Sequence, residues 1–343
     1  MTPDPRTISV VAIQPHVQIG AVEDNLRHLR DLISGAAREH HPDAIFLPEA
    51  MTSPNAYDRR MRAVARPVDG APLQLLRDAA REFGCVVGGG FIAVRGQDAR
   101  GTYAVCEPDG AVHLHDKDQP SFWENNYYGP GHDDGVMLTS ALGPIGCANG
   151  FEWGRTRTVR RMAGRVRLLA GGMHFPSFPD WRLTRKWFIE RDHEALLQYA
   201  RETPPRMARL LGVPAVHPSH VGPFTMQTPL VPGLPWHSWC VGETAICDAD
   251  GVVLQRLSYD DGEGWICADV RLDVPRPRDP CPPGFWNSLL PVSVHAVWHV
   301  GNVHGRAKYL AMKRLGMHAW QRDGSVGHDL PDHVPAQPDS VVV

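Results

Sequence analysis

The chain has 343 residues, 43% hydrophobic and 8% aromatic, enough to bury one large core with room for a terminal extension. Its 38 acidic and 35 basic residues give a formal net charge of -3, so no basic surplus points to nucleic acid or an anionic membrane, and a small molecule is the expected partner. The opening MTPDPRTISVVAIQ has no basic stretch followed by a long apolar run, so neither a leader nor a spanning helix is expected, and the expected location is cytoplasmic.

In chain order, ISVVAIQ (8–14) reads as a strand, 23–40 as an amphipathic helix and AIFLPEA (44–50) as a strand. A helix over 71–83 and the strand VVGGGFIAV (86–94) continue an α/β rhythm. EPDG (107–110) and DADG (248–251) mark hairpin turns, which predicts mixed rather than purely parallel sheets. A helical segment follows Arg155, VRLLAGG (166–172) reads as a buried strand, and a long helix is expected over 181–211. PAVHPSH, ETAICDADGVVLQRLS and GWICADVRL supply further strands. The proline cluster at 274–284 then separates a domain over 1–275 from an extension over 276–343, which holds a terminal helix and a loose tail at 329–343.

Seven cysteines, Cys85, Cys106, Cys147, Cys240, Cys247, Cys267 and Cys281, form an odd set without CxxC spacing. Such a set argues against a disulfide framework or a zinc knuckle and reads mostly as small buried hydrophobes. His295 and His299 lie four apart on the terminal helix, and His217 and His220 flank a proline; neither pair has a clear third ligand. No metal and no cofactor are expected.

Polar residues that end apolar runs are where an α/β fold gathers side chains on a ligand. Glu49 ends AIFLPEA, Lys117 ends VHLHDK, and Gly150 follows the run that begins at GPIG. Together these segments resemble the nitrilase, or carbon-nitrogen hydrolase, superfamily over about residues 8–272. FLPEA is similar to the motif of the general-base glutamate, and HDKDQPSFWEN to the lysine motif, with Glu124 matching a second glutamate. GPIGCANGFEWGRTRTVRRM is similar to the nucleophile motif, in which the place of Gly150, before Phe151 and Glu152, is normally a cysteine. The branch it resembles is nitrilase-like or amidohydrolase-like.

The resemblance implies a four-layer αββα sandwich, and catalytic roles for Glu49, Lys117 and Glu124. It places Gly150, Phe151, Glu152, Trp123 and His174 at the substrate, and it implies a homodimer or larger homo-oligomer, with Trp298 and Trp320 as anchors. Glycine has no side chain to attack with, so turnover through a cysteine is not expected. Cys147, three residues upstream on the same strand, points to the other face, and Cys240 matches no catalytic motif.

The three polar residues read either as an inherited buried ion-pair cluster or as working acid/base groups. Two functions follow. One is an enzyme of changed mechanism, using non-covalent acid/base chemistry (hydration, cyclisation or elimination) on a small nitrogen-containing substrate. The other is an inactive pseudoenzyme that binds a ligand or regulates a partner.

Overall fold

Apolar strands and amphipathic helices alternate because each sheet must bury a face on both sides, and the result is a sandwich of two sheets between helices. The computed structural model describes residues 5–179, 190–229, 231, 233–288, 290, 292–322 and 330–335. The first half contains β1 (Arg6–Gln14), α1 (Val22–His40), β2 (Ala44–Phe46), β3 (Arg66–Pro67), α2 (Ala71–Phe83), β4 (Val86–Arg95), β5 (Asp98–Cys106), β6 (Val112–Asp116), β7 (Val136–Thr139) and β8 (Gly143–Asn149). Next come α3 (Thr156–Met162), β9 (Leu168–Gly172), α4 (Glu190–Leu211), β10 (Ala215–His217), β11 (Val221–Gln227), β12 (Pro235–Val241), β13 (Thr244–Cys247), β14 (Val253–Leu257) and β15 (Gly264–Leu272). The extension carries α5 (Val292–Arg314), α6 (Ala319–Arg322) and β16 (His333–Val334).

The first sheet runs β15-β1-β2-β4-β5-β6-β16 with β3 beside β4, and the second runs β14-β13-β10-β9-β8-β7. Parallel pairs at β1/β2/β4 and β8/β9/β10 sit beside antiparallel hairpins, β5/β6 and β13/β14, at the two turn sequences. Facing strands bury Val10, Phe46, Tyr103, Ile145, Cys147 and Ile246 between the sheets. Helices α1 and α2 cover the outer face of the first sheet, α3 and α4 that of the second. This is the expected four-layer αββα sandwich. Helix α1 buries Val22, Leu26, Leu29, Ile33 and Ala37, a spacing that keeps one stripe on the sheet. Helix α2 begins with Pro72 in its first turn and ends at Gly84 in the left-handed region.

Two expectations change, one element was not expected, and one helix is described only in part. The strand expected over 44–50 ends at Phe46, because Leu47 and Met51 donate instead to Gly88 and Gly90 carbonyls as the chain turns away. The two-stranded ribbon β11/β12 was not read from the sequence. Of the helix expected over 181–211, residues 190–211 are helical and 181–189 lie outside the described residues. Within the segment read as a loose tail, β16 pairs with the edge strand β6, and Arg95 holds both Asp332 and the Leu330 carbonyl; residues 329 and 336–343 lie outside the described residues.

The extension is not separate from the sandwich. Asn302 on α5 accepts from Phe122 N and Asn125 Nδ2, both at 2.8 Å, fixing the 3-10 turn Phe122–Asn126. Trp298 and Trp320, expected as anchors between subunits, are buried within this chain. Among the described residues no helix is long and apolar enough to cross a membrane.

Candidate active site

Glu49 sits just past β2, where the chain leaves the sheet, and Ala50 after it takes a φ of 54°. The turn fits closely over β4: a Cβ added to Gly90 would stand 2.7 Å from the Glu49 Cα. Glycine there lets the acidic residue's backbone press onto the sheet. His220 Nε2 bonds the Glu49 carbonyl at 2.7 Å, and the His174 backbone N–H donates to Glu49 Oε1 at 3.0 Å. The carboxylate is thereby aimed before any charge partner is counted.

Lys117, one residue beyond β6, donates from Nζ to Glu49 Oε2 at 2.9 Å and to both Glu124 oxygens at 2.8 and 3.0 Å. All three side chains are buried. Glu124 lies in the 3-10 turn Phe122–Asn126, accepts from Asn55 Nδ2 at 2.8 Å and caps the turn by accepting from Ser121 N at 2.7 Å. Burial pushes the Glu49 carboxyl up, Lys117 pulls it down and Glu124 pushes it up again, leaving it at about 7. For Lys117 burial acts downward but Glu124 and Glu49 outweigh it, so its ammonium is held more firmly than usual.

A carboxyl raised from 4.5 to about 7 binds its proton more tightly in the folded state than in the unfolded chain. The sign of the linkage follows: this contribution to stability is full below the unfolded value and is lost as pH rises through the folded one. Wild type should therefore lose about 2–3 kcal/mol of unfolding free energy relative to Glu49→Gln between about pH 5 and about pH 8. Urea denaturation of both proteins at the two pH values measures it; a constant difference would place Glu49's pKa near the ordinary carboxyl range.

Gly150 opens the 3-10 turn Gly150–Gly154 straight after β8, with φ at 53°. A Cβ built on it would meet Lys117 Nζ at 2.6 Å and Glu49 Oε2 at 2.8 Å, with Glu49 Oε1 closer still. The glycine thus faces the ion triad across no intervening atom. Beside the triad lies a cavity of about 60 Å3 whose walls are largely aromatic, among them Phe122, Trp123, Phe151, Phe175 and Trp236. Glu49, Glu124 and His174 also line it, so the carboxylates meet a largely apolar chamber.

The structure brings Glu49, Lys117, Glu124, Gly150, Trp123, Phe151 and His174 together and separates Glu152 from them. Glu152 does not line the cavity. It is fully buried, accepting from His115 Nε2 at 2.8 Å, Asn149 N at 2.8 Å, Asp118 N at 3.0 Å and Arg161 at 2.9 Å. Burial would raise its pKa, but Arg161 and His115 outweigh that and hold it at about 2. His115 in turn, opposed by burial, is raised to about 10 by Glu152 and Asp133. This second charge cluster braces the turn that carries Gly150; the one-turn geometry of Gly150–Gly154 swings the third residue to the back.

Cys147 lies in the core between the sheets and its thiol is pushed well up by burial. Cys240 Sγ is 3.4 Å from His174 Nε2, behind the cavity wall. His217 packs edge-on to Trp153, and His295 and His299 pack on Trp286 and Trp298. Among the described residues no group of three His, Cys, Asp or Glu is placed to hold a metal. Sequence reading missed Asn55, which bonds Glu124, and weighed His220 only for a metal, whereas it bonds the Glu49 carbonyl. Asn55 stands six residues after Glu49, but nothing local marks it as a partner of Glu124.

Residues 7–184 match the family model described as carbon-nitrogen hydrolase. No curated protein matches the chain. Among solved structures, the carbon-nitrogen hydrolase from Helicobacter pylori G27 is 17% identical, with 90% of this chain and 96% of that chain covered and a TM-score of 0.62. Saccharomyces cerevisiae Nit3, a member of branch 10 of the nitrilase superfamily, is 18% identical over 78% of this chain and 90% of that one, with a TM-score of 0.56. An amidase from Nesterenkonia sp. AN1, as a double mutant in complex with acrylamide, is 15% identical over 87% and 99% respectively, with a TM-score of 0.58. At such identities the likeness carries the fold alone.

Proposed function

The chain belongs to the carbon-nitrogen hydrolase family, and from that premise we propose that it carries out acid/base chemistry on a small nitrogen-containing molecule without a covalent intermediate on the protein. The carrying observation is the glycine at 150: a side chain there would begin within 2.8 Å of Glu49 and Lys117, and glycine brings no nucleophile to them. By its motif, that position is where the family places its cysteine.

In this reading Glu49, near 7, is available in both protonation states at neutral pH. In a hydration it takes a proton from water as the water oxygen bonds to the substrate carbon, and returns that proton to the substrate nitrogen. Lys117, held by Glu124, faces the anionic charge that develops meanwhile. The aromatic walls favour a substrate whose body is apolar and whose one polar group meets the triad. A homo-oligomer is part of the same proposal: α5 exposes Val300, Val303 and Leu310.

The test pairs wild type with Gly150→Cys on a panel of small amides and nitriles. A residue with a Cβ at φ 53° is strained, and its side chain must push Glu49 and Lys117 aside. We expect a loss of about 1–3 kcal/mol in stability, turnover lower than wild type, and one additional alkylation by iodoacetamide. A Gly150→Cys protein that turns over faster and accumulates a thioester by mass spectrometry would overturn the non-covalent reading. A wild type that binds panel members but converts none would favour the ligand-binding pseudoenzyme.

A further inference from the structure

A second cavity, of about 90 Å3, lies on the far side of the Phe122–Asn126 turn, between the 3-10 turn Arg59–Ala63 and helices α5 and α6. We propose that it binds a small aromatic carboxylate carrying a hydrogen-bond donor at its other end. Its charge is one-sided. Arg59, Arg62 and Lys308 line it and make no ion pair among the described residues, whereas its one acidic residue, Asp58, is already taken by Arg60 at 2.9 and 3.0 Å. Lys308 Nζ instead lies over the Tyr57 ring at 5.0 Å, on the cavity's own wall.

Two buried polar atoms belonging to its lining have no partner. Trp320, 5% exposed, leaves its indole N–H unbonded, and Asn126, 3% exposed, leaves Oδ1 unbonded. The orientation of that amide is determined, because Asn126 Nδ2 donates to the Trp123 carbonyl at 2.6 Å and the oxygen must be the free end. Buried polar groups of this kind are normally satisfied. A ligand that offers a carboxylate to the indole N–H and the cations, and an O–H to Asn126, satisfies both. Flat walls at Tyr57, Tyr127 and Trp320 suit a ring between those ends. The site is independent of the reaction proposed above, since none of these residues lines the Glu49 cavity.

The probe is 4-hydroxybenzoate, titrated by calorimetry into the full-length protein. Wild type should bind it, and the double variant Arg59→Gln/Arg62→Gln, altered only at exposed side chains, should bind at least about tenfold more weakly. Trp320→Phe should weaken binding too, and 4-hydroxybenzamide, which lacks the charge, should bind at least about tenfold more weakly than the acid. Glu49→Gln should leave the affinity unchanged. No binding to wild type, equal binding by the arginine double variant, or loss of binding in Glu49→Gln alone would each overturn the proposal, the last by placing the ligand in the other cavity.

Discussion

Lys117→Met is expected to destabilise the protein by about 3–5 kcal/mol near neutral pH, because it leaves two carboxylates buried with no cation between them. Glu49 and Glu124 both lose their contact to Nζ, and what remains to them is His174 N for one and Asn55 and Ser121 N for the other. Methionine keeps much of the chain's volume, so packing alone would cost far less. The variant also has a pH signature. Without Lys117, burial and repulsion from Glu124 push the Glu49 carboxyl higher than in wild type, and the folded variant holds a proton the unfolded chain releases. Its deficit should accordingly shrink as pH falls toward about 5 and grow toward about 8. Urea unfolding at both values tests this, together with conversion of any substrate wild type accepts, which should be abolished. A loss below about 1 kcal/mol at all pH values would mean that water reaches the triad and screens it.

Residues whose role follows from local spacing were legible in the sequence; those defined by distant contacts were not. Helices α1 and α2 follow from apolar stripes and from terminal residues such as Gly84, all within a few residues of one another. The hairpins at 107–110 and 248–251 follow from turn residues in the same way. By contrast Asn55 reaches Glu124 across 69 positions and His220 reaches Glu49 across 171, and no periodicity encodes such a meeting. Ribbon β11/β12 escaped notice because Pro223 interrupts one strand and Pro235 opens the other, and proline reads as loop. Glu152 was placed at the substrate by the resemblance of the motif around Gly150. The 3-10 turn rotates it onto His115 and Arg161 instead, which only the backbone path reveals.

Glu49→Gln separates a working base from an inherited ion pair. Glutamine is nearly isosteric, and its amide oxygen can still face Lys117, so the triad's packing and most of the stability should survive. What it cannot do is accept a proton, so turnover should fall about 10²–10⁴-fold if Glu49 is the general base. Wild-type kcat/KM should rise with pH toward a plateau above about 7, following ionisation of Glu49. The residual activity of the variant should lack that inflection. A merely structural role predicts the reverse pattern, an unchanged pH profile with activity following the fraction folded. Combining Glu49→Gln with Lys117→Met sharpens the distinction, since the neutral amide removes one of the two stranded carboxylates. The double variant should be more stable than Lys117→Met alone yet no more active, because the step that needs a proton acceptor has already been removed by the first change. A double variant that regained activity along with stability would mean that Glu49 had been holding the fold rather than moving a proton.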